Sequence, residues 1–356
     1  MKISVNSQLL AQELRLLSRV IPDKPTIPVL ANVLFMASDA LTLRATNLQV
    51  QLVTQCPATI DVPGSVTLPA KKLLEMVEQF QNADVQITLD KGQVHVVCGA
   101  FRSRLQTLPA TDFPALPIVE KEISTLPTST LFVLIGRVKY AIAAKVQKFV
   151  MDGALLALTG DVMAMVTTDG KRLSLSTASR AAGADLSLVI PSETLDVLTA
   201  LVGEELTFST GPRHLFFTVG SRLLVSRMMD GKFPNYDRII PRENTYVMTV
   251  NRSLLAAAIR RVNSVSEQDL AVYLSLSGDL LSLTSKSAAI GDAYEDVLAT
   301  YTGPDLKLCV NGQYLLDFLG ASRGEFVTLS VKDAKTALLA ADGEDFINVI
   351  MPMRAS

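Results

Sequence analysis

Leu68-Pro69-Ala70-Lys71-Lys72-Leu73-Leu74, Ile190-Pro191-Ser192-Glu193-Thr194-Leu195 and Val310-Asn311-Gly312-Gln313-Tyr314-Leu315-Leu316 are three versions of one phrase. Each runs from an apolar, strand-like end through a turn-forming residue into a helix-like run. Pro69, Pro191 and Asn311 fall 122 and 120 positions apart. The strand-like triplets Leu41-Thr42-Leu43, Met163-Ala164-Met165 and Leu281-Ser282-Leu283 recur at 122 and 118. Phe113-Pro114, Phe233-Pro234 and Met351-Pro352 close the three units at intervals of 120 and 118. Solenoid repeats have periods of ~20–50 residues. A period near 120 is the size of a domain, so the spacing predicts three tandem copies of one fold. The expected domains are 1–122, 123–243 and 244–356.

Working outward, each unit opens with a strand followed by a helix. In the first, Leu10, Leu14, Leu17 and Ile21 share one helical face, Ser7 is the expected N-cap, and Pro22 and Pro25 end the run. The same role falls to Val138, Ile142 and Val146 in the second unit. Leu255, Ala258, Ile259 and Val262, after Asn251-Arg252, take it in the third. A second helix is expected after each of Pro69, Pro191 and Asn311. Short alternating stretches such as Val85-Gln86-Ile87-Thr88-Leu89 and Leu215-Phe216-Phe217-Thr218-Val219 read as strands separated by Gly, Asp and Asn turns. Two helices and about eight strands per unit describe an α+β layer fold, an antiparallel sheet with helices on one side. Linkers are expected from Pro114 to Ser129 and over Pro241-Arg242-Glu243-Asn244-Thr245.

Bulk composition narrows the class. Of 356 residues, 49% are hydrophobic and 19% charged, which supplies ample core and excludes a disordered chain. No uncharged apolar run reaches the ~18 residues of a membrane span. Met1-Lys2-Ile3-Ser4-Val5-Asn6 alternates like a strand and lacks the apolar centre of a signal peptide. A cytoplasmic location and no membrane partner are expected. Cys56, Cys98 and Cys309 are few, odd in number and far apart, so neither a disulfide framework nor a zinc site is expected.

The formal net charge is −2, unlike the strongly basic balance of a typical DNA-binding domain. Distribution overrides the total. Arg15 and Arg19 lie one turn apart on the first helix. Arg137, Lys139, Lys145 and Lys148 fall on or beside that of the second unit, and Arg252, Arg260 and Arg261 on that of the third. Lys71 and Lys72 start the second helix of unit one. Acids are scarce on these first helices, Glu13 excepted. They gather at Glu204-Glu205, at Asp292, Glu295 and Asp296, and at Asp342, Glu344 and Asp345. Basic helices and acidic sheets can hold a polyanion on the helical layer. From this pattern Arg15, Arg19, Lys71, Lys72, Arg260 and Arg261 are candidate DNA contacts; the plainer reading of each is a solvated helix face. The second helix of unit two, with Glu193 and Asp196 and no base, would repel phosphate.

Catalytic signatures are absent from the sequence. His95 and His214 sit in strand-like patterns. No nucleophile elbow, phosphate loop, metalloprotease helix or dinucleotide turn is found. Asp292, Glu295 and Asp296 read as a charged loop rather than a metal or acid–base site. No cofactor, no metal and no enzymatic activity are expected.

Five further stretches occur in order along the chain. They are Lys24-Pro25-Thr26-Ile27-Pro28-Val29-Leu30, Thr107-Leu108-Pro109-Ala110-Thr111-Asp112-Phe113-Pro114 and Thr168-Asp169-Gly170-Lys171-Arg172-Leu173. Asp230-Gly231-Lys232-Phe233-Pro234-Asn235-Tyr236 and Val349-Ile350-Met351-Pro352-Met353-Arg354 complete the set. Together they resemble the bacterial sliding clamp family, the beta subunit of the replicative DNA polymerase III, over the whole chain. The resemblance implies a head-to-tail homodimeric ring with helices lining the hole and sheets outside, a closed heterologous assembly. Such a ring encircles double-stranded DNA without reading sequence and makes a polymerase processive. Its implied partners are itself, DNA, the polymerase alpha subunit, an ATP-driven clamp loader and other polymerases or repair proteins bearing short linear motifs.

The resemblance also carries residues. Lys24, Lys145, Lys148 and Phe149 are implied to face DNA, with Val150 standing where the family often has a second aromatic. A partner-peptide pocket is implied at Met151, Thr168, Gly170, Lys171, Arg172, Leu173, Pro234, Arg238, Ile239, Val349, Met351, Met353 and Arg354. There, apolar Leu173, Ile239, Val349 and Met351 would receive hydrophobic anchors. Lys171 replaces a histidine common in the family, and Ala355-Ser356 extends the tail. Two other readings stay open: a three-domain enzyme with an acidic site near Asp292 to Asp296, and a protein-only scaffold that never meets DNA.

Overall fold

The computed structural model describes residues 1–143, 151–181, 183, 185–266 and 270–354. Six α-helices are found among them: α1 Ser7–Ser18, α2 Ala70–Val77, α3 Thr128–Val138, α4 Ser192–Leu198, α5 Arg252–Val262 and α6 Gly312–Ala321. Each follows directly on a strand. The strands Lys2–Asn6, Lys121–Pro127 and Tyr246–Asn251 feed α1, α3 and α5, and Gly64–Pro69, Leu186–Pro191 and Leu306–Asn311 feed α2, α4 and α6. The repeated phrase of the sequence is thus the second strand-to-helix junction of each third.

Two compact units are present, Met1–Ser129 with Glu193–Met228, and Thr130–Ser192 with Met229–Ser356. The middle third of the sequence contributes to both. The first unit holds a five-stranded sheet, in the order 58–62, 2–6, 84–90, 93–98, 101–106. It also holds an eight-stranded sheet in which Arg222–Arg227 pairs with Val50–Cys56, Leu223 opposite Val53. The second unit carries one twelve-stranded sheet, continuous because Arg172–Ser179 pairs with Phe346–Ile350, Leu173 opposite Val349. All these pairings are antiparallel.

Helix packing follows the apolar stripes. Leu10, Leu14 and Leu17 of α1 are buried, as are Leu255, Ala258, Ile259 and Val262 of α5, which join Val272, Leu283, Phe318 and Leu329 in the core of the second unit. Asn251 and Asn311 cap α5 and α6, each side-chain oxygen accepting two first-turn N–H groups.

Four expectations are corrected. The cap of α1 is Asn6, whose Oδ1 accepts from Gln8 and Leu9. Ser7 is buried inside the first turn, and its hydroxyl donates to the Phe80 carbonyl and accepts from the Ala83 N–H. In the second unit of the repeat the helix lies earlier than expected. Leu131, Leu134, Ile135 and Val138 form its buried stripe, α3 ends at Val138, and Ile142 is extended after a 3-10 turn at Lys139–Ala141. Val146 lies outside the described residues. The expected linker from Pro114 to Ser129 contains the strand Lys121–Pro127 and the start of α3. Finally, Asp292, Glu295 and Asp296 belong to the strand Gly291–Tyr301, not to a loop; their spacing lets pairing with Leu280–Ser287 carry them.

Candidate DNA-facing residues and partner pocket

Basic residues on the helices divide by what they touch. Arg15, Arg19, Lys71, Lys72, Arg260 and Arg261 are all exposed. Arg15 donates to Glu78 at 2.6 Å, Lys71 to Asp23 at 2.7 Å and Lys72 to Glu75 at 2.7 Å, and Arg261 forms a two-pronged pair with Glu295. The Arg261 contact holds the Glu295 carboxyl below its ordinary range. Exposed pairs like these add little to stability, because water screens them, and they loosen further with salt. Arg19, Lys24 and Arg260 are exposed and have no ion pair among the described residues. Lys145, Lys148, Phe149 and Val150 lie outside the described residues.

Two bases counted with the helical layer are internal instead. Arg137 is mostly buried. It donates to Asp345 at 2.7 Å and stacks 5.1 Å from the Phe346 ring centroid. Arg252 donates to the Gly324 and Leu319 carbonyls. Glu13, the acid noted on α1, is buried and held by Arg222 at 2.5 Å and by the Thr54 hydroxyl. On α4, Glu193 accepts from the Asn47 side chain.

The partner-pocket residues lie in the second unit, on three structural pieces. The first is the hairpin turn between the strands Val162–Thr168 and Arg172–Ser179. Asp169 Oδ1 accepts from the N–H groups of Lys171 and Arg172, and Gly170 takes φ +85°, a left-handed conformation that glycine adopts without strain. Thr168 Oγ1 donates to the Arg172 carbonyl and accepts from Gly170 N–H, so local residues alone set the turn's shape. Lys171 is exposed at its tip.

The second piece is an apolar floor. Leu173 and Val349, opposite one another in the sheet, are buried with Leu155 and Val166, and Phe233, Tyr236, Ile240 and Leu339 pack against them. Pro234 is half-buried and Arg238 exposed. Ile239 is 37% exposed, while its neighbour Ile240 packs inward. The floor residues Phe233, Tyr236 and Ile240 escaped the sequence reading, although Phe233 and Tyr236 stand in a quoted stretch. Burial, then Asp237, raises the Tyr236 phenol above its ordinary value. Met151 is buried beside α3's end, its carbonyl accepting from Ala143 N–H at 3.0 Å.

The third piece is the C-terminal tail. Met351 N–H donates to the Lys171 carbonyl at 2.9 Å and Met353 N–H to the Cys309 carbonyl at 2.8 Å. The tail therefore spans from the hairpin to the last strand of the sheet. Met351 is 47% exposed. Met353 and Arg354 open on a separate cavity against the strand Leu306–Asn311.

Arg172 ties the hairpin to α6 and to the turn after α3. Its guanidinium donates to Asp169 at 3.1 Å, to Asp317 on α6 at 2.5 Å and to the Tyr140 carbonyl at 2.6 Å. It lies 5.3 Å from the Tyr140 ring centroid and 4.3 Å from that of Tyr314. Tyr140 in turn accepts from Asn348 at 2.7 Å, and its burial holds the phenol well above its usual value. With every face engaged, Arg172 braces the pocket wall. Its partners Asp317, Tyr140 and Tyr314 had no local sequence signal, being brought in from α6 and from the turn after α3.

The strand acids give the alternative of an acidic active site no support. Glu295 is tied to Arg261, and Asp296 accepts from Ser282 and Tyr294. No group of three or more potential metal ligands occurs among the described residues. No helix there is long and apolar enough to cross a membrane.

Comparison with known proteins matches nearly the whole chain. Residues 1–117 match the N-terminal domain of the DNA polymerase III beta subunit, 125–235 its central domain and 237–354 its C-terminal domain. The beta sliding clamp of Caulobacter vibrioides is 31% identical over 99% of this chain and 100% of its own length, and that of Pseudomonas aeruginosa is likewise 31% identical over 99% and 100%. A crystal structure of the Pseudomonas aeruginosa subunit superposes with a TM-score of 0.95 at 30% identity, covering 100% of both chains. A Caulobacter crescentus beta sliding clamp, with polyethylene glycol bound to its putative beta-motif tethering region, gives 0.95 at 29% identity, again over 100% of both chains. With three successive domains matched in order, the chain belongs to the DNA polymerase III beta subunit family, the beta sliding clamps.

Proposed function

We propose that this chain is a DNA-encircling processivity clamp. In this reading two copies join head to tail, the six helices of each protomer face the duplex, and replication proteins are tethered through the pocket around Leu173, Val349 and Met351. The three domains are bounded near residues 122 and 243. The protein is a scaffold without catalytic chemistry of its own.

The observation that carries the reading is the threefold strand–helix module with exposed cations, Arg19, Lys24 and Arg260, that no carboxylate engages among the described residues. Contacts of that kind bind phosphate weakly and without regard to sequence, which suits sliding. Lys145, Lys148 and Phe149 complete the proposed DNA-facing set.

Two uncovered strand edges support head-to-tail pairing. Phe101–Gln106 ends the five-stranded sheet and carries Arg102 and Arg104. Among the described residues the stretch Gly291–Leu298 pairs on one side only, since just Ala299, Thr300 and Tyr301 meet the strand Tyr246–Asn251, and it carries Asp292, Glu295 and Asp296. A basic edge and an acidic edge on one chain are complementary between copies, and pairing would remove both from solvent.

The test is retention on nicked circular DNA after loading, against the same DNA linearised. A clamp stays on the circle and slides off the line. Equal retention on both, or a protein that stays monomeric at micromolar concentration, sinks the reading. Reversing Arg102 and Arg104 to Glu should shift the protein toward monomer, and reversing Asp292 and Asp296 to Lys in the same chain should restore association.

A further inference from the structure

Beside the C-terminal tail lies a cavity of about 730 Å³ whose charged lining residues, among those described, are all basic. Lys307, Lys335 and Arg354 line it together with Tyr273, Leu308 and Met353, and no carboxylate does so among the described residues. The Lys307 ammonium lies 5.5 Å from the Tyr273 ring centroid, which orients it without neutralising it. Lys335 and Arg354 are exposed and have no ion pair among the described residues. By contrast Lys332, on the same loop, is paired with Glu243 at 2.5 Å. A fourth exposed cation, Lys171, stands at the tip of the hairpin whose carbonyl receives Met351.

The tail connects this cavity to the apolar floor. Met351 N–H bonds to the hairpin and Met353 N–H to Cys309, so the short segment that follows Val349 of the apolar cluster runs on to line the cavity with Met353 and Arg354. The cavity wall is the strand Leu306–Asn311, the last of its sheet. An extended segment lying along the tail would meet an apolar site at one end and a cationic one at the other. The strand edge and the apolar surfaces of Leu308 and Met353 suit a peptide better than a nucleic-acid strand.

We infer that this cavity receives a carboxylate-bearing flank of the partner segment whose apolar anchors occupy the neighbouring pocket. The inference rests on the partner-pocket reading above and adds a charge rule to it: this chain selects partner motifs flanked by Asp or Glu.

The test uses fluorescent synthetic peptides that share Leu and Phe anchors and differ in the flank, placed before or after the anchors: Asp/Glu, Asn/Gln or Lys. At 50 mM salt the acidic flank should bind about tenfold tighter than the neutral one, as several exposed ion pairs would give, and the advantage should shrink in 0.5 M salt. The double variants K307E/K335E and K307Q/K335Q should lose that advantage and keep the affinity for the neutral peptide. Neutral and acidic peptides binding alike would overturn the inference and leave the pocket reading standing; failure of all the peptides would overturn both. A single-stranded oligonucleotide that binds wild type but not the variants, with flank charge making no difference, would reassign the cavity to nucleic acid.

Discussion

The guanidinium of Arg172 lies 2.5 Å from the carboxylate of Asp317, a residue 145 positions further along the chain. Their side chains are only 10% and 23% exposed. The pair joins the hairpin of the partner pocket to helix α6, and removing one member strands the other. Full burial would make such a loss worth ~3–5 kcal/mol; the partial exposure of Asp317 lowers the expectation for Asp317→Ala to about 2 kcal/mol. Urea unfolding monitored by circular dichroism checks it. Asp317→Asn, which keeps a hydrogen-bond acceptor, should cost less. A loss below measurement error in both would mean that Asp169, the Tyr140 carbonyl and the two rings hold Arg172 without Asp317.

Met351 and Met353 stand on the tail segment that runs from the hairpin to the cavity against the strand Leu306–Asn311. Replacing both with Ala removes flexible apolar surface while keeping the backbone bonds to Lys171 and Cys309. The double variant should lose polymerase stimulation and at least tenfold in affinity for an apolar-anchored peptide, yet assemble as wild type. Unchanged peptide affinity would remove these methionines from the pocket.

Retention on DNA should track which cations are free. Arg19→Glu with Lys24→Glu introduces two repulsions where no carboxylate was already engaged. Lys71→Glu and Lys72→Glu alter charges that Asp23 and Glu75 partly satisfy. The first pair should shorten residence on nicked circular DNA more than the second and reduce the salt slope by about 2, one for each phosphate no longer neutralised. Equal effects would show that the surface ion pairs leave the lysines available. Lys145→Glu with Lys148→Glu is expected to behave like the first pair.

Much of this fold was legible in the sequence because the repeat aligned residues that do the same local job. Asn251 caps α5 as its pattern implied, a helix follows Asn311 as expected, and the stripe Leu255, Ala258, Ile259 and Val262 is core. Local signals misled where two residues of similar chemistry competed: Asn6 took the cap expected of Ser7 because Ser7 is engaged with Phe80 and Ala83. Ile142 kept helical spacing after Val138, but the helix ends at Val138 and Ile142 is extended beyond a 3-10 turn. The pocket hairpin could be read, since Asp169 and Gly170 shape it by themselves. Its support could not: Asp317, Tyr314 and Asn348 arrive from distant segments, and charge pattern along a chain does not distinguish a braced Arg137 from an exposed Arg260.

The three cysteines differ in access. Cys56 is buried, and burial, with Glu13 nearby, pushes its thiol up to about 12. Cys309 is buried beneath the tail, while Cys98 is half-exposed near the sheet edge. A thiol reagent at pH 8 should label Cys98 first, with Cys56 and Cys309 reacting only on unfolding, because the thiolate is the reactive species. Mass spectrometry of the early product checks this, and prompt labelling of Cys56 would contradict its burial.

His214 links stability to pH. It lies on the strand His214–Val219, opposite Arg227 in the sheet. Burial first, and the Arg227 charge second, lower its pKa below the ordinary 6.5. An imidazole that is harder to protonate in the folded chain favours the folded state only while neutral. Its contribution is therefore complete above about pH 6.5, falls as the pH drops toward the lower folded value, and is flat below that. His214→Gln removes the titration and should flatten this part of the profile while other carboxylate-linked losses persist at lower pH. Urea midpoints at pH 8, 6.5 and 5 for both proteins decide the matter: parallel profiles would mean that His214 carries no such linkage, and an acid-side gain in the wild type would reverse the sign argued from its neighbours.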